Sequence, residues 1–132
     1  MKWFSVETSK GRFKISGFAK EVGRDLLVSV WGGTRPHIGA VGIAVPRYSL
    51  KDPRKWSATS STFTFLGHKE DVLVKKISET LAAALRKNVV VTAGLHWNAI
   101  SPQEIKIIEN LTEALSDRIL KKLLPAGKGR RR

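Results

Sequence analysis

At 132 residues, 42% of them hydrophobic, the chain can bury the core of one domain, and it contains no run of roughly 20 apolar residues of the kind a membrane helix needs. It has no cysteine, which excludes disulfides, thiolate metal ligands and a cysteine nucleophile. Its formal charge of +13 favours polyanions, phosphorylated ligands or acidic protein surfaces, and residues 121–132 supply +6 of it through Lys121, Lys122, Lys128, Arg130, Arg131 and Arg132. The opening residues reach Glu7 too early for a secretory apolar segment, so a soluble cytoplasmic protein is expected.

In chain order, Phe13, Ile15 and Phe18 alternate imperfectly in a strand that runs to a turn at Gly23. Leu26 to Trp31 is so apolar that a central strand covered on both faces is expected. Ile38 to Val45 reads as another buried strand, whose Gly39, Ala40, Gly42 and Ala44 leave room for a close backbone or ligand; Pro46 ends it. Thr59 to Leu66 alternates with β-branched and aromatic residues and stops at Gly67. The period then changes: Val72, Leu73, Ile77, Leu81, Ala84 and Leu85 mark an amphipathic helix from Glu70 to Arg86. Val89 to Ala93 is a short buried strand. Ser101, Pro102 and Glu104 form a capping-box signature for a last helix reaching about Leu124. The expected fold is α+β, a mostly antiparallel sheet with two helices on one face, in the order ββββαβα. It forms a single domain over residues 1–124, followed by a basic tail, 125–132, that has little to bury and is expected to be disordered.

All three histidines sit in small-residue motifs where a strand gives way to a turn or helix: Gly32-Gly-Thr-Arg-Pro-His37-Ile-Gly, Gly67-His68-Lys-Glu-Asp71 and Ala93-Gly-Leu-His96-Trp97. Strand-end loops present functional side chains, and three imidazoles with an open position can make a reactive metal site. Each also has a plainer reading: His37 as a turn residue bonded to a carbonyl, His68 as a helix cap, His96 as packing beside Trp97. Lys69 at a helix start and the hydroxyls of Ser57, Thr59, Ser60 and Ser61 suit a phosphate, or are ordinary surface groups. The chain lacks a P-loop, a dinucleotide fingerprint, a helical His-Glu-x-x-His and a Gly-x-Ser-x-Gly elbow, so an autonomous enzyme is not the default.

Those motifs, with Asp25-Leu-Leu-Val before them and Ser57-Ala-Thr-Ser-Ser61 between, resemble the small D-subunit family of gallate and hydroxyarylic acid decarboxylases, the LpdD-like prenylated-flavin chaperones. The resemblance runs from about Gly11 to Leu120. It implies a fold similar to that of proteasome assembly chaperones, usually in an oligomer, and a non-catalytic accessory protein. Such a protein would bind reduced prenylated FMN with a divalent transition metal, zinc among the candidates, and deliver it to a UbiD-type decarboxylase; a flavin prenyltransferase makes the cofactor. Carried onto this chain, it makes His37, His68 and His96 the candidates for metal, and His37 and His68 for cofactor contact; by their own chemistry Arg35, Lys69, Ser60 and Ser61 suit the flavin phosphate and Trp97 the ring. Trp31 or Trp97 would stack on the flavin. Glu70 and Asp71 match the acidic end of the second motif, where a helix-start role is expected before a metal role. One departure is Asn98, where the family commonly has an acid.

Two other functions compete. The charge, the tail and four tryptophans suit a nucleic-acid-binding module, although the aromatics are not interleaved with basic residues on one strand face. The small residues of Gly39 to Val45 equally suit a cofactor-independent assembly factor for a large complex.

Overall fold

The computed structural model describes residues 2–65 and 70–125. Six strands and two helices follow in the order β1 (Trp3–Lys10), β2 (Phe13–Val22), β3 (Asp25–Gly33), β4 (Ala40–Tyr48), β5 (Trp56–Thr64), α1 (Asp71–Leu85), β6 (Val89–His96) and α2 (Pro102–Leu123). The strands form one sheet ordered β1-β2-β3-β6-β4-β5, antiparallel throughout except where β3 and β6 run parallel. The α+β architecture is as the sequence leads one to expect. One strand is added at the start: β1 pairs with β2 from Trp3↔Lys20 to Lys10↔Phe13 around a turn at Gly11.

Both helices cover one face. Strand positions two apart share a face, and Phe13, Ile15 and Ala19 on β2, Leu26, Val28 and Val30 on β3, and Val89, Val91 and Ala93 on β6 are buried beneath them. Val74, Ile77 and Leu81 of α1 and Leu111, Leu115 and Ile119 of α2 complete this core. The other face is open. That corrects the expectation for Leu26 to Trp31: β3 is interior in the sheet, but Leu27 is 40% exposed on its uncovered side. Pro46 lies within β4 instead of ending it. The β4–β6 pairing stops at Ala44, so the missing Pro46 N–H is not needed on that side.

The capping box of α2 forms as its sequence indicates. Ser101 Oγ accepts from Glu104 N at 3.2 Å, and Glu104 Oε1 accepts from Ser101 N at 3.0 Å. Ser101→Ala is expected to lower stability by about 1 kcal/mol, readable as a lower urea midpoint at unchanged slope. Among the described residues no helix is long and apolar enough to cross a membrane.

Candidate functional site

The topology decides where the first histidine loop goes. β6 is inserted between β3 and β4, so the segment leaving Gly33 must cross the C-terminal end of β6 before β4 can begin. Two backbone bonds fasten the crossing, Thr34 N to His96 O and Gly39 N to Ala93 O, both 2.8 Å. Between them His37 lies directly on Gly94: a Cβ added there would stand 1.6 Å from the His37 carbonyl oxygen. The glycine in the third histidine motif therefore makes space for the loop of the first. α1 and α2 also begin at this end of the sheet, following β5 and β6.

The side chains at the crossing form two linked groups. His37 Nδ1 donates to the Arg35 carbonyl at 2.8 Å, which turns Nε2 toward Glu70 Oε2 at 3.3 Å. Glu70 is 8% exposed, and Oε2 also accepts from Leu95 N at 3.0 Å. The sequence places Glu70 at a helix start. It does precede α1, but without a side-chain cap bond; its carboxylate turns inward onto His37 and β6. In the second group, Arg35 Nη2 lies 3.0 Å from His96 Nε2, and Asn98 Oδ1 lies 3.1 Å from the same nitrogen. One ring nitrogen cannot serve both: bare, it accepts from Arg35, and carrying its proton, it donates to Asn98. At Nε2 a guanidinium stands where a metal would approach His96.

The expected contacts thus separate. His37, Arg35 and His96 converge, whereas His68 and Lys69 lie outside the described residues. Among the described residues no three His, Asp or Glu side chains gather at metal-binding distance. Ser60 and Ser61 sit elsewhere: Ser60 Oγ donates to Glu79 Oε2 at 2.6 Å beside Lys75, and Ser61 is an exposed β5 residue paired with Ile43. At about 3.3 Å per strand residue, Ser60 is about 13 Å down the strand from Thr64, the partner of Ala40 at the site's end. Trp97 is buried, edge-on to Phe13 with ring centroids 5.2 Å apart, and reaches solvent only as the floor of a depression.

Two hollows flank the histidines. A cleft of about 500 Å³ between α1 and α2 has Glu70 and Leu95 at one end and Leu73, Ile77, Ile105 and Ile108 along its walls. A shallower depression of about 440 Å³ on the other side is bounded by Arg12, Lys14, Trp31, Thr34, Pro36 and Trp97. The cleft sets its apolar walls beside Lys76, Glu109, Glu113 and Asp117, whereas Arg12 and Lys14 make the depression basic; concave sites of this size suit small molecules.

The sequence profile of the prenylated flavin chaperone LpdD-like domain matches residues 9–124. The chain belongs to this family. The LpdD-like match takes in every element from β2 to α2, and so both described histidine groups. Among characterised relatives, Protein LpdD of Lactiplantibacillus plantarum is 27% identical over 113 residues, 86% of this chain and 79% of that one. Among solved structures, a chaperone complex for yeast 20S proteasome assembly superposes with a TM-score of 0.53 at 12% identity, over 94% of this chain and 100% of that one. At that identity the likeness concerns the fold alone.

In this LpdD-like chain, Glu70 is the keystone of the His37 group. Glu70→Ala would leave the Leu95 N–H buried without its acceptor and His37 without its carboxylate. It is expected to cost about 2–3 kcal/mol, with Glu70→Gln retaining roughly half of that; denaturant unfolding of the two variants checks it.

Proposed function

We propose that this chain is a non-catalytic accessory protein of a UbiD-type hydroxyarylic acid decarboxylase system, binding reduced prenylated FMN and delivering it to the decarboxylase. The observation that carries this reading is the meeting of His37, Glu70, Arg35 and His96 where two hollows open, in a chain whose family is that of prenylated flavin chaperones. Arg35 is suited to the flavin phosphate, since a guanidinium presents a planar fork to an anion. Trp31, on the uncovered side of the sheet, offers a ring face at the rim of the depression, whereas Trp97 is committed to its contact with Phe13. The protein acts in the cytoplasm as a homo-oligomer, with the decarboxylase and the flavin prenyltransferase as partners.

A divalent metal fits part of this donor set. With the Nδ1 proton of His37 held by a carbonyl, its Nε2 and the Glu70 carboxylate are the groups that would hold such an ion. Such an ion would add affinity for a phosphate. His37 and Glu70 would hold it, and His96, capped by Arg35, would not.

An anaerobic titration with reduced prenylated FMN, with and without a chelator, tests the reading. Binding is expected to weaken at least about tenfold (1.4 kcal/mol) in His37→Ala, and to weaken on chelation, while the circular dichroism spectrum stays that of the wild type. No binding by the wild-type protein under either condition would overturn it.

A further inference from the structure

The positive charge of the chain is collected at one pole. Every strand and helix has one end by the histidines and one away from them, and the far ends comprise residues 2–3, 20–25, 47–56, 86–88 and 120–124. These carry eleven Lys and Arg against three Asp and Glu, a net of +8. All the other described residues together carry eight of each and are neutral. Nine of the eleven basic residues are exposed. Two of the three acids are matched within the pole, Glu21 by Lys87 at 3.2 Å and Asp52 by Arg54 at 3.0 Å. In sequence, residues 126–132 follow directly on this end of α2 and add four more basic residues and no acid.

Apolar side chains stand among these charges. The turn between β2 and β3 is Gly23–Arg24 and that between α1 and β6 is three residues, whereas β4 and β5 are joined by the longer loop 49–55. Leu50 on that loop is 90% exposed, more than any other large hydrophobic side chain among the described residues, and is followed by the exposed Lys51, Arg54 and Lys55. Tyr48 at its base packs on Trp56 with ring centroids 4.5 Å apart, and the Arg86 guanidinium lies 5.0 Å from the Trp56 ring.

We propose that this pole is a peripheral binding surface for an anionic lipid bilayer, with the Leu50 loop entering the headgroup layer and the histidine end facing away. Anionic headgroups attract clustered Lys and Arg, an apolar side chain beside them gains from the acyl boundary, and Tyr and Trp favour the headgroup level. A nucleic acid matches the charge but offers Leu50 nothing, and Trp56, engaged by Tyr48 and Arg86, is not free to stack on a base. An acidic protein would want a contact centre depleted of charge, whereas here charge runs across all six strands, about 24 Å. With the pole on a bilayer, the His37 and Arg35 groups stay open to a partner in the cytoplasm.

Co-sedimentation of the full chain with phosphatidylcholine vesicles, with and without phosphatidylglycerol, tests it. Binding is expected only to the anionic vesicles and is expected to fall with added salt. The double variant Lys51→Ala, Lys55→Ala is expected to bind about twentyfold more weakly, about fivefold for each charge removed. Leu50→Ser is expected to lose at least about fivefold, and Lys76→Ala with Lys106→Ala, two exposed helix positions away from the pole, to stay near wild type. All these positions are exposed, and unchanged circular dichroism shows that each variant folds. A wild type that ignores anionic vesicles, or binds neutral ones equally well, overturns the proposal. So does a Leu50→Ser protein that keeps its affinity for vesicles, or a wild type that binds single-stranded DNA more tightly than vesicles. The proposal does not rest on flavin binding: vesicle binding by a protein that takes up no flavin leaves it standing, and flavin binding by one that ignores vesicles sinks it alone.

Discussion

Alanine at Gly94 is expected to lower the unfolding free energy by about 3 kcal/mol and to disorganise the His37 group in whatever protein still folds. The added methyl would overlap the His37 carbonyl, 1.6 Å from its oxygen and 2.3 Å from its carbon. Neither side can yield cheaply. Gly94 is held in register with Trp31 in the parallel β3–β6 ladder, and the loop is tied on both flanks by the bonds to His96 and Ala93. Gly23→Ala is the comparison: its φ of +60° disfavours a side chain, but nothing lies within 4 Å of the new methyl. It is expected to cost only about 1 kcal/mol and to leave the site intact. Urea unfolding ranks the two, and flavin titration of both separates lost stability from lost site geometry.

Truncating Leu115 to alanine should be as costly for a different reason, about 3–4 kcal/mol. Leu115 is fully buried, and its Cδ2 rests over Gly17 on β2, where α2 covers the β1–β2 end of the sheet. The same helix is pinned to β1 by Thr8 Oγ1, which donates to the Leu111 carbonyl at 2.9 Å. The neighbouring Ile119 and Val6 can close only part of the resulting void. Leu115 itself lines neither hollow and bonds neither His37 nor Glu70, so flavin affinity below the unfolding transition should stay near wild type. Denaturant melts and a titration at low temperature check both halves.

Much of the fold was legible because local patterns and tertiary burial agree. Ile77 and Leu81 of the expected stripe are buried on α1, but the stripe is centred on Val74, and Val72, counted into the pattern, is 70% exposed; the capping box at Ser101 starts α2 where its hydroxyl and carboxylate say it should. β1 was less legible. Trp3, Phe4 and Val6 mix exposed and buried positions because an edge strand on a half-open sheet needs few apolar residues. Leu26 to Trp31 misled in the opposite sense: its uncovered side is apolar, and sequence does not distinguish a residue buried in its own chain from one available to a partner.

At the site, the sequence by itself determined that His37 and His96 stand at strand ends among small residues, and that a motif acid, Glu70, lies at a helix start. Tertiary structure alone decided how they combine. The insertion of β6 between β3 and β4 forces the 34–39 loop across the end of β6, and that crossing turns Glu70 onto His37, sets Arg35 against His96, and leaves Ser60 and Ser61 partway down β5. Hydrophobic periodicity records which residues are buried; it does not record which strands become neighbours. Distances between side chains far apart in sequence follow from that strand order.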